Sequence, residues 1–141
     1  MYLLDTNIIS LFDPRRREHE HAVIEKLRRI EEKSYFSVLT LTEIESGILK
    51  LRREEKDKRA DQLADFRNGL LRGWADRILP VTHGIALDVA RISERARPAV
   101  VERIDLIIAA TAAFHGLTVI TRNGRHFLPT GVTCLDPSDL D

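Results

Sequence analysis

The chain has 141 residues, 43% hydrophobic and 31% charged, which suits one globular domain with a sizeable core. Its 22 basic residues match its 22 acidic ones, so no global field marks a tight nonspecific nucleic-acid binder. It has no apolar run of about 18 residues to cross a membrane, and Cys134, its only cysteine, excludes an intrachain disulfide. A cytoplasmic protein without a leader is expected, its lone thiol buried and structural.

Residues 2–5 predict a short strand, apolar on both faces and therefore central in a covered parallel sheet. Thr6 and Asn7 suit a turn into a helix that Pro14 interrupts. Residues 19–32 have helical spacing in Ala22, Val23, Leu27 and Ile30. A second strand is expected over 35–38. Thr40 or Thr42 then caps a helix running to about residue 53, with Ile44, Ile48, Leu49 and Leu51 as its apolar stripe. Residues 56–73 read as a charged amphipathic helix with Leu63, Phe66, Leu70 and Leu71 inward. A third strand over 78–81 is limited by Pro80, and a helix from 83 is ended by Pro98 near residue 97. Residues 105–115 are nearly apolar all round, which means burial, with Gly116 as a C-terminal cap. Strands over 117–121 and 132–135 complete the chain. Trp74, Tyr2 and Tyr35 read as core or interface residues, and His83 and His115 as helix ends.

Alternating strands and helices imply an α/β fold with a parallel sheet and right-handed crossovers. Basic residues cluster at Arg15-Arg16-Arg17 and over 26–29, 50–53 and 56–59, interleaved with acids, and read as solvated helix faces. The first cluster follows the loop after the first strand closely enough to meet a phosphate. His19-Glu20-His21 puts its two histidines on different helix faces and reads as a solvated helix start, not a zinc site.

Three acids interrupt otherwise apolar stretches: Asp5 after Leu3-Leu4, Glu43 between Thr42 and Ile44, and Asp105 before Leu106-Ile107-Ile108. Sites in open parallel sheets form outside the carboxyl ends of the strands, where Asp5 and Asn123 fall, and Glu43 and Asp105 are expected to start helices. Clustered carboxylates repel one another, and a hard divalent cation resolves the conflict. Taken singly, Asp5 and Asp105 could be plain helix caps and Glu43 a solvated acid, but jointly those readings leave the order of the segments unexplained.

The segments Tyr2-Leu3-Leu4-Asp5-Thr6-Asn7-Ile8-Ile9-Ser10, Leu41-Thr42-Glu43-Ile44-Glu45-Ser46-Gly47, Asp105-Leu106-Ile107-Ile108-Ala109-Ala110-Thr111-Ala112 and Val119-Ile120-Thr121-Arg122-Asn123 resemble, in order and spacing, the four signature segments of PIN-domain ribonucleases. The likeness is greatest to VapC-type toxins of bacterial toxin–antitoxin pairs. It implies a three-layer α/β/α domain over residues 1–141, with a central parallel sheet of four to five strands. It also implies Mg²⁺- or Mn²⁺-dependent hydrolysis of RNA phosphodiesters by metal-activated water. Asp5 and Asp105 are then the expected direct metal ligands. Glu43 either ligates the metal or holds and deprotonates the attacking water, and Thr6 orients Asp5 through a hydroxyl hydrogen bond. Asn123 stands at the fourth corner, where it could offer an amide oxygen or bind a metal-bound water.

The chain departs from the family at His126, which stands where Asp is frequent and faces either solvent or the site. With one charge fewer at that corner, a second metal ion is expected to bind weakly. The resemblance further implies a homodimer and an antitoxin partner, docked on the helices of residues 41–71 with Ile48, Leu51, Leu63 and Phe66 as contacts. A nonhydrolytic PIN-fold module that binds RNA or protein is the alternative. An aspartyl phosphohydrolase is disfavoured, because Asn7 occupies the place of its second Asp.

Overall fold

The two-sided apolar runs form the sheet. A computed structural model describes the chain from Met1 to Asp141, except the side chains of Arg17, Glu18 and His19. The basic run at Arg17 and the histidine pair at His19 therefore fall partly outside the described residues. Strands β1 (Tyr2–Leu4), β2 (Ser34–Ser37), β3 (Ile78–Leu79), β4 (Thr118–Ile120) and β5 (Cys134–Leu135) form one five-stranded sheet. All pairings are parallel and the order is β3-β2-β1-β4-β5. In β1, Leu3 lies opposite both Tyr35 and Val119, so the first strand is central, as expected. Side chains alternate strictly. Leu4, Phe36 and Ile120 enter the core on one face, and Leu3, Tyr35 and Val119 enter the core on the other.

Helices α1 (Thr6–Ile9), α2 (His21–Ile30), α3 (Val38–Arg53) and α4 (Asp57–Gly73) cover the first face. Helices α5 (His83–Ala96), α6 (Arg103–His115) and α7 (Gly124–Phe127) lie on the other side, completing three layers. The all-round apolarity of α6 has a simple cause. Ile108, Ala109 and Ala112 pack with Leu3 and Val119 of the sheet, while Leu106 and Ala110 pack with Ile85 and Ile92 of α5. Gly116 ends the helix at φ 66°, a left-handed conformation that costs glycine nothing. No helix among the described residues is long and apolar enough to cross a membrane.

Several expectations are corrected. Helix α3 starts at Val38, directly after β2, and its cap is Ser37, whose hydroxyl accepts the Leu39 N–H at 3.1 Å. Thr40 and Thr42 are therefore inside the helix, and Glu43 stands in its second turn. The hydroxyl nearest the strand end wins because it can bond the first orphan N–H groups without an intervening loop. Helix α6 begins at Arg103, which puts Asp105 third in its first turn. The apolar stripe on α3 faces inward at Ile44, Ile48 and Leu51 but not at Leu49, and Leu71 of α4, expected inward, also faces solvent. Ile48 is 2% exposed, and Leu51, Leu63 and Phe66 pack on the core as α3 and α4 cover the sheet. Those four residues thus form the junction of the two helices instead of a free docking surface. The exposed apolar residues of the pair are Leu49 and Leu71. They line a groove of about 540 Å³ with Val38 and Leu41.

Candidate active site

Strand order reverses at β1, which has β2 on one side and β4 on the other, so the crevice beyond the carboxyl ends of β1 and β4 is where an open α/β sheet places its ligands. Asp5 is the first residue past β1, and its backbone N–H extends the ladder to the Ile120 carbonyl at 3.0 Å. Its carboxylate is only 6% exposed. Oδ1 accepts the Thr6 N–H at 2.8 Å, so Asp5 does cap α1. Oδ2 accepts the buried Thr121 hydroxyl at 2.8 Å and the Asn7 amide at 3.3 Å. A buried carboxylate costs free energy unless it is hydrogen-bonded, and these three donors meet that need while leaving lone pairs for a further partner.

Glu43 reaches the same place from α3. Its Oε1 accepts the Thr6 hydroxyl, which also lies 3.0 Å from the Thr40 hydroxyl. The expectation that the Thr6 hydroxyl orients Asp5 is therefore corrected. That hydroxyl holds Glu43, and only the Thr6 backbone holds Asp5. The hydroxyl that orients Asp5 belongs to Thr121, at the end of β4. Thr40 lies outside the four segments, and Asn7 and Thr121 lie inside them without any signal of which carboxylate they serve. Asn7 also accepts the Arg122 N–H at 3.4 Å, tying the turn after β1 to the turn after β4.

Asp105 projects from the first turn of α6, where the helix dipole favours a negative charge. Its carboxyl is nonetheless held above the usual carboxylate range, first by burial, then by the negative charge of Asp5, with smaller raising contributions from Glu102 and Glu43. The charges of Asp5 and Glu43 are thus felt at Asp105, where His126 opposes them. The same Asp5 charge, after burial, pushes the half-buried Cys134 thiol up to about 11, so it stays protonated at neutral pH. The linkage sign follows. Asp105 in the folded state releases its proton at higher pH than in the unfolded chain. Its stabilising contribution is present below the unfolded value and is lost as pH rises through the folded one. A cation beside it reverses that loss.

The fourth corner is split. Asn123 lies past β4 with its backbone N–H on the Thr121 hydroxyl at 3.0 Å, and its exposed side chain makes no hydrogen bond among the described residues. His126 is 61% exposed yet places Nδ1 3.7 Å from Asp105 Oδ2. It both meets solvent and flanks the site, bordering a cleft of about 280 Å³ that Asp105, Arg125 and Pro129 also line.

The donor set is all oxygen, with one carboxylate buried and a second strained by its neighbours' charge. That chemistry fits a hard divalent cation. Among the described residues no group of three or more His, Cys, Asp or Glu side chains is placed to hold a metal ion. Mg²⁺ does not need so many, since it keeps several waters and takes one or two carboxylates directly.

Known proteins share this sequence pattern and fold. A family model described as PIN domain matches residues 2–129. Toxin FitB of Neisseria gonorrhoeae is 34% identical, the alignment covering 97% of this chain and 98% of that protein. The plasmid stability protein StbB of Pseudomonas syringae pv. tomato is 33% identical with the same coverage. VapC ribonuclease Y4jK of Sinorhizobium fredii is 29% identical over 97% of each chain. Among solved structures, the crystal structure of FitAcB from Neisseria gonorrhoeae superposes with a TM-score of 0.82 at 33% identity, covering 99% of this chain and 100% of that one. VapBC2 from Rickettsia felis, bound to a DNA fragment from its promoter, shares the fold alone, at a TM-score of 0.73 and 18% identity.

Proposed function

We infer function from one premise: this chain belongs to the PIN-domain family, whose match takes in residues 2–129. It is a metal-dependent endoribonuclease, the VapC-type toxin of a type II toxin–antitoxin pair. The observation that supports this reading is that Thr6 holds both Asp5 and Glu43 beyond β1, with the charges of those two acids felt at Asp105. Relatives named as a toxin and as a VapC ribonuclease support it.

Asp5 and Asp105 would hold Mg²⁺ or Mn²⁺, which when bound supplies an acidified water and neutralises charge on the phosphate. Asp5 is held rigid by Thr6, Asn7 and Thr121, so the position of a ligand to it is set before binding. Glu43 Oε2 has no hydrogen bond among the described residues while Oε1 is engaged by Thr6, which equips Glu43 to orient the attacking water and accept its proton. Asn123 completes the rim without adding charge.

Incubation of the purified protein with total cellular RNA tests the reading directly. Cleavage is expected with Mg²⁺ or Mn²⁺ and none with EDTA. Equal cleavage in EDTA, or none under any condition, overturns it.

The toxin role has its own test. The groove of Val38, Leu41, Leu49 and Leu71 is the surface we assign to an antitoxin's apolar helix face. Expression of this chain alone is expected to arrest growth, and coexpression of the neighbouring gene's product to relieve it. Absence of toxicity at every expression level removes the toxin role and leaves the nuclease standing.

A further inference from the structure

The basic clusters that read as separate solvated faces in the sequence are brought together by the fold. A hollow of about 520 Å³ is walled by the segment after α1, by α3 and by α4. Four basic side chains line it, Arg15, Arg16, Lys50 and Arg59, against two acids, Asp13 and Glu54. Both acids are already engaged. Asp13 is buried and accepts Arg15 at 3.1 Å, and Glu54 pairs with Lys56 at 3.2 Å. Arg16, Lys50 and Arg59 are exposed and have no ion pair among the described residues. In a chain of zero net charge, this is a local surplus of positive charge around a concave surface.

Its position relates it to the acids. On α3, Gly47 follows Glu43 by four residues, and Lys50 and Leu51 follow Gly47 by three and four; all but Glu43 line the hollow, as does Glu54 at the end of the helix. Lys50 is thus about 10 Å from Glu43 along the helix axis, at 1.5 Å per residue. Gly47 lies between them, and a Cβ there would stand 3.4 Å from Leu63 of α4. The missing side chain lets α3 and α4 pack closely at that point.

We propose that Arg16, Lys50 and Arg59 form a binding site for the RNA phosphate backbone next to the bond being cut, a proposal that rests on the nuclease reading above. Three cations around one hollow repel one another unless an anion joins them. Continuity with the Glu43 face of α3 favours the polyanion that must also reach Glu43 over an acidic segment of a partner protein. A positively charged groove that tracks the backbone is how sequence-tolerant single-strand binding is built.

The test compares the variant R16Q/K50Q/R59Q with the parent. A fluorescein-labelled oligouridylate is titrated in an Asp5→Asn background, so that the RNA is retained, across a KCl series. A control, R28Q/R29Q/K33Q, removes the same number of exposed charges around the end of α2 and the start of β2, away from the hollow. Each lost single-strand phosphate contact lowers the salt slope by about 0.7, so three lower it by about 2 and weaken binding near 0.1 M salt by about a hundredfold. The control is expected to keep the parental slope. In the cleaving protein the loss should appear in KM more than in kcat. An unchanged slope in R16Q/K50Q/R59Q, or an equal fall in the control, overturns the site while leaving the nuclease intact. If polyglutamate competes for the hollow and RNA does not, an acidic protein segment is the occupant and the proposal fails. A parent that cuts no RNA refutes the nuclease reading and takes this site with it.

Discussion

Asp5→Asn is expected to lose RNA cleavage by about a thousandfold or more while the protein still folds. A bound divalent ion contributes several kcal/mol of charge stabilisation to phosphoryl chemistry, and about 1.4 kcal/mol is tenfold in rate. Asn keeps the shape of Asp and one oxygen, so the Thr6 N–H can still be accepted. Thr121 can turn its hydroxyl to accept in place of donating. The Asn7 amide then meets another donor, which costs about 0.5–1.5 kcal/mol of stability and no more. A second signature accompanies the loss. The Asp5 charge is the main influence, after burial, holding the Asp105 carboxyl up, so Asp105 should titrate closer to the ordinary carboxylate range in the variant, as read by carbon-detected NMR. Cleavage at the parental rate by a folded Asp5→Asn protein removes Asp5 from the metal site and the mechanism with it.

Phe36→Ala is expected to destabilise the fold by about 3–5 kcal/mol, among the larger effects of a single core truncation. Phe36 is fully buried, and its β2 position faces Ile78 across the ladder to β3. Its ring lies 5.5 Å from that of Trp74, which meets Phe12 edge-on at 5.6 Å and carries the Arg77 guanidinium 4.1 Å over its face. Removing Phe36 leaves a cavity in the middle of this stack and takes away its aromatic pair contact, itself about 0.5–1.5 kcal/mol. At roughly 3 °C per kcal/mol for a chain of this length, Tm should fall by about 10–15 °C. Phe36→Leu, which refills most of the volume, should lose less than half as much. A loss below about 1 kcal/mol for the alanine variant in urea unfolding would mean that the α3–α4 layer closes over the site by a route independent of this stack.

Both experiments bear on the same junction. The Trp74 stack packs the layer of α3 and α4 on the sheet, and α3 carries Glu43 to Thr6. A slack stack should therefore displace Glu43 before it displaces Asp5, whose three hydrogen bonds all come from the turns after β1 and β4.

Residue pattern sufficed for the strand and helix types and for the parallel sheet with its first strand central, and it singled out the three acids, because each depends on local information. Leu3 and Leu4 are apolar on both faces of a strand, α6 is apolar all round, and Gly116 closes it, all readable within one element. An acid set against such an apolar run is visible for the same reason. The tertiary structure alone decided which hydroxyl serves which carboxylate. Thr6 lies beside Asp5 in the chain but spends its hydroxyl on Glu43, 37 positions away, while the Asp5 carboxylate takes the hydroxyl of Thr121 from 116 positions away. Such pairings follow from sheet register, and periodicity carries no information about register between distant strands. The inward turn of Ile48, Leu51, Leu63 and Phe66, and the gathering of Arg16, Lys50 and Arg59, were likewise settled by how α3 and α4 cross the sheet face. A stripe on one helix has no partner, and a charge run no neighbour, until packing supplies it.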